Sequence, residues 1–300
     1  MIEWFRMPDI PVWNKCDNKC VMCANTAAFC LNTSRDYSLL KQAARLERHL
    51  RGGAAYKKNA RTAGAWNLTG GEPTLNPEFL KAVAHFRRRL KGAELLLLSN
   101  GRRFADPAFA AAFAAAARPP FTLGVSIHGP DAAAHDRVAG VKGAFRQTLR
   151  GLKNLSALPG APALEIRVIL HKLNYRRLGA TLGLLKRELP GCRLVVMHYE
   201  AEGRGARNEA KLAVKLSATA AAVNRCAARL AGFQAAALYH FPLCLLRPEL
   251  RGLARVSLPP EDRAYPAPCR NCAARGVCVG LMRPYLRRFG AGELRPLPKD

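Results

Sequence analysis

The chain has 300 residues, 49% of them hydrophobic, which is ample for a folded core, and no apolar run approaches the roughly 18 residues of a membrane span. Its 48 Lys and Arg (34 Arg, 14 Lys) against 21 Asp and Glu leave a formal net charge of +27. These residues are scattered rather than gathered into a stripe, so the charge describes a solvated basic surface that favours acidic partners and only secondarily a nucleic-acid site.

The opening "MIEWFRMPDIPVWNK" carries Glu3 and Asp9 and no apolar h-region, so no signal peptide is expected. That places the chain in the cytoplasm, where ten cysteines are better read as metal ligands or thiols than as disulfides. Short β-branched or Leu-rich runs then recur, each followed by a helical pattern. Strands are expected at 8–15, 65–70, 94–99, 121–127, 164–170 and 193–199, with helices near 38–51, 76–91, 107–117, 144–156 and 175–188. "NPEF" at 76–79 reads as a helix start, with Asn76 as cap, Pro77 in the first turn and Glu78 complementing the dipole. Six such units predict an α/β fold, a parallel sheet curled into a partial TIM-like (βα)6 barrel over 1–205. From about 205 the period is lost. A helix near 214–230 leads into a Pro- and Cys-rich segment, expected as a C-terminal extension over 206–300.

In such a barrel the chemistry sits where strands end. The first end carries "CDNKCVMC", three cysteines at C-x3-C-x2-C, with Cys30 soon after. Structural zinc wants four ligands and a redox pair wants two. Three thiolates can hold three corners of an iron–sulfur cube and leave one iron open to another ligand. Taken alone, the cysteines could also form a partial zinc site with Cys30.

With "GGEP" at the next strand end, the chain resembles the radical S-adenosylmethionine (radical SAM) superfamily over roughly residues 8 to 200. The resemblance implies that Cys16, Cys20 and Cys23 hold a [4Fe-4S] cluster whose open iron chelates S-adenosyl-L-methionine. It also implies that the adenine packs on Met22, and that Gly70, Gly71 and Glu72 of "TGGEPTL" meet the methionine amino group. Glycines suit that role by allowing close backbone approach, and a carboxylate complements an ammonium. Asn100 and Ser126 are expected near the ribose and carboxylate, Arg167 on the carboxylate side, and the backbone around Met197 ("VMH") at the adenine. His128, His135 and His198 could serve as acid–base groups but read first as structural, and Cys192 and Cys226 read as small buried apolar residues.

The tail holds Cys244, Cys269, Cys272 and Cys278, enough for a complete auxiliary iron–sulfur cluster or an all-thiolate zinc site. "HYEAEGRGARN", "YHFPLCLL", C-x2-C-x5-C-x-G and the closing "GELRPLP" together resemble the maturases of His-Xaa-Ser peptide systems. That resemblance implies a ribosomally made precursor peptide as substrate, a paired maturase, and an electron donor such as flavodoxin or ferredoxin. The other readings are an RNA-modifying radical SAM enzyme, favoured by the net charge, and a non-catalytic zinc and nucleic-acid-binding protein.

Overall fold

A computed structural model describes residues 7–32, 36–51 and 65–298. Glu3, used above to argue against a signal peptide, lies outside the described residues. One parallel sheet runs in strict sequence order through β1 (Asp9–Trp13), β2 (Ala65–Gly70), β3 (Glu94–Ser99), β4 (Phe121–Ser126), β5 (Ala163–Leu170), β6 (Arg193–His198), β7 (Ala236–Tyr239) and β8 (Ala254–Arg255). The six expected strands are all present. The sheet then continues by two more, which pair Leu194–Met197 with Ala236–Tyr239 and Leu238–Tyr239 with Ala254–Arg255. Both were missed for a physical reason: "AALY" has no β-branched residue and β8 is two residues long, so neither shows a strand pattern. Edges at β1 and β8 leave the barrel open.

The inside–outside alternation of a strand explains which side chains reach the barrel interior. On β5, Ile166, Val168 and Leu170 join the core beneath the helices, while Arg167 and Ile169 line an interior cavity. On β3, Leu95 and Leu97 pack outward into the same core and Leu98 faces the cavity. Outside β2 to β4, Phe113 stacks near Phe79 at 5.8 Å, Phe104 at 4.8 Å and edge-on to Phe121 at 5.7 Å. Burying each such ring contributes roughly 1.5–3 kcal/mol.

The expected helix at 76–91 begins later, as Phe79–Arg89, and Asn76 is not its cap. The Asn76 amide donates to the Val12 and Tyr37 carbonyls at 2.9 Å each, and its Oδ1 accepts from the Glu78 N–H at 2.8 Å, so it ties the β2 exit to β1. The helix expected near 214–230 breaks at Cys226 into Leu216–Arg225 and Ala227–Ala231. Beyond β8 the chain folds back as a small antiparallel pair, β9 (Arg263–Ala264) with β10 (Leu281–Met282), and helix Arg283–Phe289. Leu281, Met282, Tyr285 and Leu294 from this tail belong to the same hydrophobic core as the barrel strands.

Candidate active site

The three N-terminal cysteines lie in the loop that follows β1, and that loop is held from three sides. Lys19 and Val21 donate backbone N–H groups to Ala139 and Val138 at 2.9 Å, docking the loop on the end of helix Ala132–Ala139. Arg204 and Gly205 donate to the Cys23 carbonyl at 2.8 and 3.2 Å, and the Asn208 amide donates to Val21 O at 2.8 Å. From the β3 exit, Asn100 donates to Asp17 Oδ1 at 2.6 Å, while Arg102 reaches Asp17 O and Asn18 Oδ1, each at 2.9 Å. The x3 spacer between Cys16 and Cys20 is therefore a clamp as well as a spacer. Gly203 sits at φ +50, and a Cβ there would strike the Ala24 carbonyl oxygen. Gly203→Ala should therefore cost about 1–3 kcal/mol of loop stability. It is expected to show as a lower melting temperature and faster loss of iron to a chelator; a wild-type rate would remove the 202–205 segment from the clamp.

One cavity of about 290 Å³ opens at the C-terminal ends of the strands. Cys16, Cys20, Cys23 and Met22 line it from the β1 loop, and Gly70, Gly71 and Glu72 line it from the β2 exit. Asn100, Ser126, Arg167 and Met197 complete it from β3 to β6. The structure thus gathers into one space every residue the sequence placed at the barrel mouth.

The glycine motif also has a structural role of its own. Gly71 and Glu72 donate their backbone N–H groups to Trp13 O at 2.7 Å and Lys15 O at 2.8 Å, so this backbone is knitted to the start of the cysteine loop. A Cβ on Gly70, at φ +141, would run into Trp13 O; one on Gly71 would come within 2.7 Å of the Lys15 carbonyl carbon. The glycines are demanded by that close approach of two backbones. Glu72 is 1% exposed, and its carboxylate accepts from Thr74 N–H (3.1 Å), Thr74 Oγ1 (2.6 Å), Ser99 Oγ (2.7 Å) and Asn100 N–H (2.6 Å). Burial pushes its pKa up and these donors pull it back. The carboxylate binds β2 to β3 and still borders the cavity.

Arg167 donates through Nε to Glu165 Oε1 at 2.7 Å, two residues back on the same face of β5. Gly124 on the neighbouring strand leaves room for it, since a Cβ there would sit 3.4 Å from Arg167 Nε. A guanidinium held this way, 15% exposed at the cavity wall, suits a carboxylate.

The donor set fits a cluster. All ten cysteines are free thiols. Burial pushes Cys16 and Cys20 up to about 12, with the neighbouring cysteines adding to the rise, while the Asn18 N–H, 3.4 Å from Cys16 Sγ, favours the thiolate. Two neighbouring thiols that resist ionisation become thiolates only when a cationic centre compensates them. Among the described residues no three His, Cys, Asp or Glu side chains converge on a point for a single ion. An iron–sulfur cube, offering each thiolate its own iron, needs a wider spread.

The tail cysteines also come together. Cys244, Cys269, Cys272 and Cys278 line one small cavity with Tyr265 and Arg275. Leu243 and Gly280 direct backbone N–H groups at Cys278 Sγ, and Leu297 directs one at Cys272 Sγ, all at 3.4 Å. Burial raises Cys269 to about 11, reinforced by the three other cysteines. The "GELRPLP" segment closes this cavity through Leu294, Pro296 and Leu297.

Two residues escaped the sequence reading. Glu200 lines the barrel-mouth cavity, and His240, at φ +66, turns its Nε2 to within 3.0 Å of Glu200 Oε1 while Nδ1 donates to His198 O at 2.8 Å. Only the position of "HYE" at a strand end hinted at the former; nothing local marks the latter. His128, His135 and His198 are buried at 3% exposure or less, and desolvation lowers the pKa of each, in keeping with structural roles.

Comparison with known proteins agrees with this geometry. Mycofactocin maturase MftC of Mycobacterium ulcerans (strain Agy99) is 32% identical over 140 residues, 47% of this chain and 36% of that one. The crystal structure of Streptococcus suis SuiB bound to S-adenosylmethionine superposes with a TM-score of 0.54 at 17% identity, over 78% of this chain and 51% of that one, a likeness of fold. The chain thus spans about a third to a half of the length of these relatives. The family model of the radical SAM superfamily matches residues 10–185, more than half of the chain, and the chain belongs to that superfamily.

Proposed function

We propose that this radical SAM enzyme modifies a ribosomally made peptide and carries a second iron–sulfur cluster in its tail. Enzymes of the superfamily use a [4Fe-4S] cluster and S-adenosylmethionine. When bound, these supply a 5′-deoxyadenosyl radical that takes hydrogen from a substrate. In this chain Cys16, Cys20 and Cys23 would hold the cluster, Arg167 would face the methionine carboxylate, and Met22 and Met197 would border the adenine. The clamp of Asp17, Asn18, Asn100 and Arg102 fixes the loop so that the three thiols keep one geometry. Cofactor placement and exclusion of water are the protein's part.

The observation that carries the peptide reading is the pairing of this barrel with a four-cysteine tail, together with the 32% identity to a maturase. The His-Xaa-Ser maturases that the tail resembles act with a paired maturase, and a flavodoxin or ferredoxin would deliver the electron. Among the described residues no helix is long and apolar enough to cross a membrane. The test is anaerobic reconstitution with iron and sulfide, then incubation with S-adenosylmethionine, reductant and the peptide encoded beside the gene. A mass change in the peptide that requires S-adenosylmethionine supports the reading. Salt-sensitive binding and modification of RNA, with peptides untouched, would transfer the +27 surface to an RNA substrate.

The tail makes a separate prediction. Cys269, Cys272 and Cys278 lie outside the cavity where S-adenosylmethionine would be cleaved. The triple Cys→Ala variant is therefore expected to keep about half the iron and still form 5′-deoxyadenosine without substrate, while losing peptide product. Iron equal to wild type, or zinc in protein purified without oxygen, would make the tail a structural clip.

A further inference from the structure

His240 is the one non-glycine residue at positive φ among the described residues, at +66, and it follows directly on β7. Its ring is 3% exposed and bridges two strand ends. Nδ1 stands 2.8 Å from the His198 carbonyl oxygen at the end of β6, an atom that can only accept, so Nδ1 carries a proton. Nε2 stands 3.0 Å from Glu200 Oε1. A bare nitrogen lone pair would be repelled by a carboxylate oxygen at that distance, so a second proton lies between them. Histidine ordinarily holds a proton more strongly than a carboxylate, which makes the pair an imidazolium beside an ionised Glu200.

An independent observation comes from the barrel-mouth cavity, which Glu200 also lines, with its side chain 28% exposed. Among the described residues Glu72 is the only other carboxylate on that wall, and its oxygens are taken up by Thr74, Ser99 and Asn100. His128 is the one imidazole there, and burial pushes it well below its ordinary pKa, which makes it a poor proton acceptor. Glu200 is left as the wall's available base.

We infer that Glu200 is the proton acceptor of the substrate step and that His240 is the residue that positions it. The inference rests on the peptide reading above. Once a hydrogen atom has left a substrate carbon, the carbon radical closes to a double bond or a new bond by releasing one proton and one electron. The proton goes to the free oxygen of the Glu200 carboxylate. The electron goes to an oxidised iron–sulfur cluster, the acceptor that the tail cysteines would hold. The other titratable groups facing the pair are Glu202 beyond β6, His198 on β6 and Tyr239 on β7. Burial lowers His198 to about 3 and raises Tyr239, so both stay neutral. Glu202, with Asp262 beside it, adds negative charge that His240 offsets.

Two measurements on reconstituted full-length protein test this. The first needs no peptide: infrared titration, with the matching Glu200→Gln protein subtracted, reads the Glu200 carboxylate. In His240→Asn it is expected to take up its proton at higher pH than in wild type, because the compensating cation is gone. Asparagine tolerates positive φ and can still donate to His198 O. The second adds S-adenosylmethionine, reductant and the peptide encoded beside the gene. Glu200→Gln should raise the 5′-deoxyadenosine formed per modified peptide about a hundredfold, the ordinary worth of a general base. His240→Asn should raise it about tenfold, and higher pH should restore the coupling. Circular dichroism and iron content report on the fold. Wild-type coupling in Glu200→Gln, or an unchanged carboxylate titration in His240→Asn, would overturn the inference. So would lost S-adenosylmethionine affinity in Glu200→Gln, which would make Glu200 a cofactor ligand. A shifted titration with no peptide modified by the wild type would overturn the peptide reading alone.

Discussion

Cys20→Ala is expected to lose 5′-deoxyadenosine formation to background, with the fold intact. The loop around Cys20 is held by its backbone, through Lys19 and Val21 on Ala139 and Val138 at 2.9 Å. Removing one sulfur therefore leaves the loop in place and subtracts only a ligand. A cluster with two protein thiolates at its closed corners is not retained, because no other cysteine lines this cavity. Cys30 is the one thiol near enough to be a candidate replacement. It lies in helix Ala27–Leu31, outside the cavity wall, and it interacts electrostatically with Cys23. Cys30→Ala alone should keep wild-type activity, and Cys20→Ala/Cys30→Ala should be no worse than Cys20→Ala. Wild-type 5′-deoxyadenosine from anaerobically reconstituted Cys20→Ala would sink the assignment of C-x3-C-x2-C as the cluster motif.

The barrel was readable in the sequence wherever a strand is long and hydrophobic. "ELLLLS" and "LEIRVIL" can hardly be anything else, and the structure places strands at Glu94–Ser99 and Ala163–Leu170. β7 and β8 were invisible because a strand of four or two residues is created by its neighbour's open edge, not by its own pattern. Asn76 was misread for a related reason. Locally it resembles a helix cap, but its amide is claimed by the Val12 and Tyr37 carbonyls, and only tertiary packing brings these close.

The site was legible to the same degree. Residues picked out by type and spacing, the two cysteine sets and the glycines, fall together around two cavities. Contacts made across the chain could not be read that way. Glu200 and His240 meet only because β6 and β7 run side by side, and the His198 ring meets the Thr219 hydroxyl 21 residues away. A second, smaller cavity likewise draws Glu202, Glu209 and Asp262 together from separate segments of the chain.

Gly71→Val is expected to remove both S-adenosylmethionine binding and most of the cluster. If Gly71 did no more than leave room for the methionine amino group, as the resemblance implies, a branched side chain there would weaken cofactor binding and spare the iron. The structure argues otherwise. A Cβ at Gly71 meets the Lys15 carbonyl carbon at 2.7 Å and the Asn14 carbonyl carbon at 2.8 Å, and these are backbone atoms one and two residues before Cys16. Backbone cannot swing aside as a side-chain tip does. Relief requires moving the strand that leads into the cluster loop, or breaking the Gly71 and Glu72 N–H bonds to Trp13 and Lys15. Each lost buried bond costs about 1–3 kcal/mol, enough to shift Cys16 away from Cys20 and Cys23. Iron content after reconstitution should fall together with S-adenosylmethionine affinity by calorimetry. Gly183→Ala is the matched control: it lies in helix Leu178–Glu188 with nothing within 4 Å of its Cβ, and should leave both unchanged. Normal iron with lost affinity in Gly71→Val would return the glycine to a cofactor-space role. Normal iron with normal affinity would show that the β1 and β2 exits do not approach as closely as the structure places them.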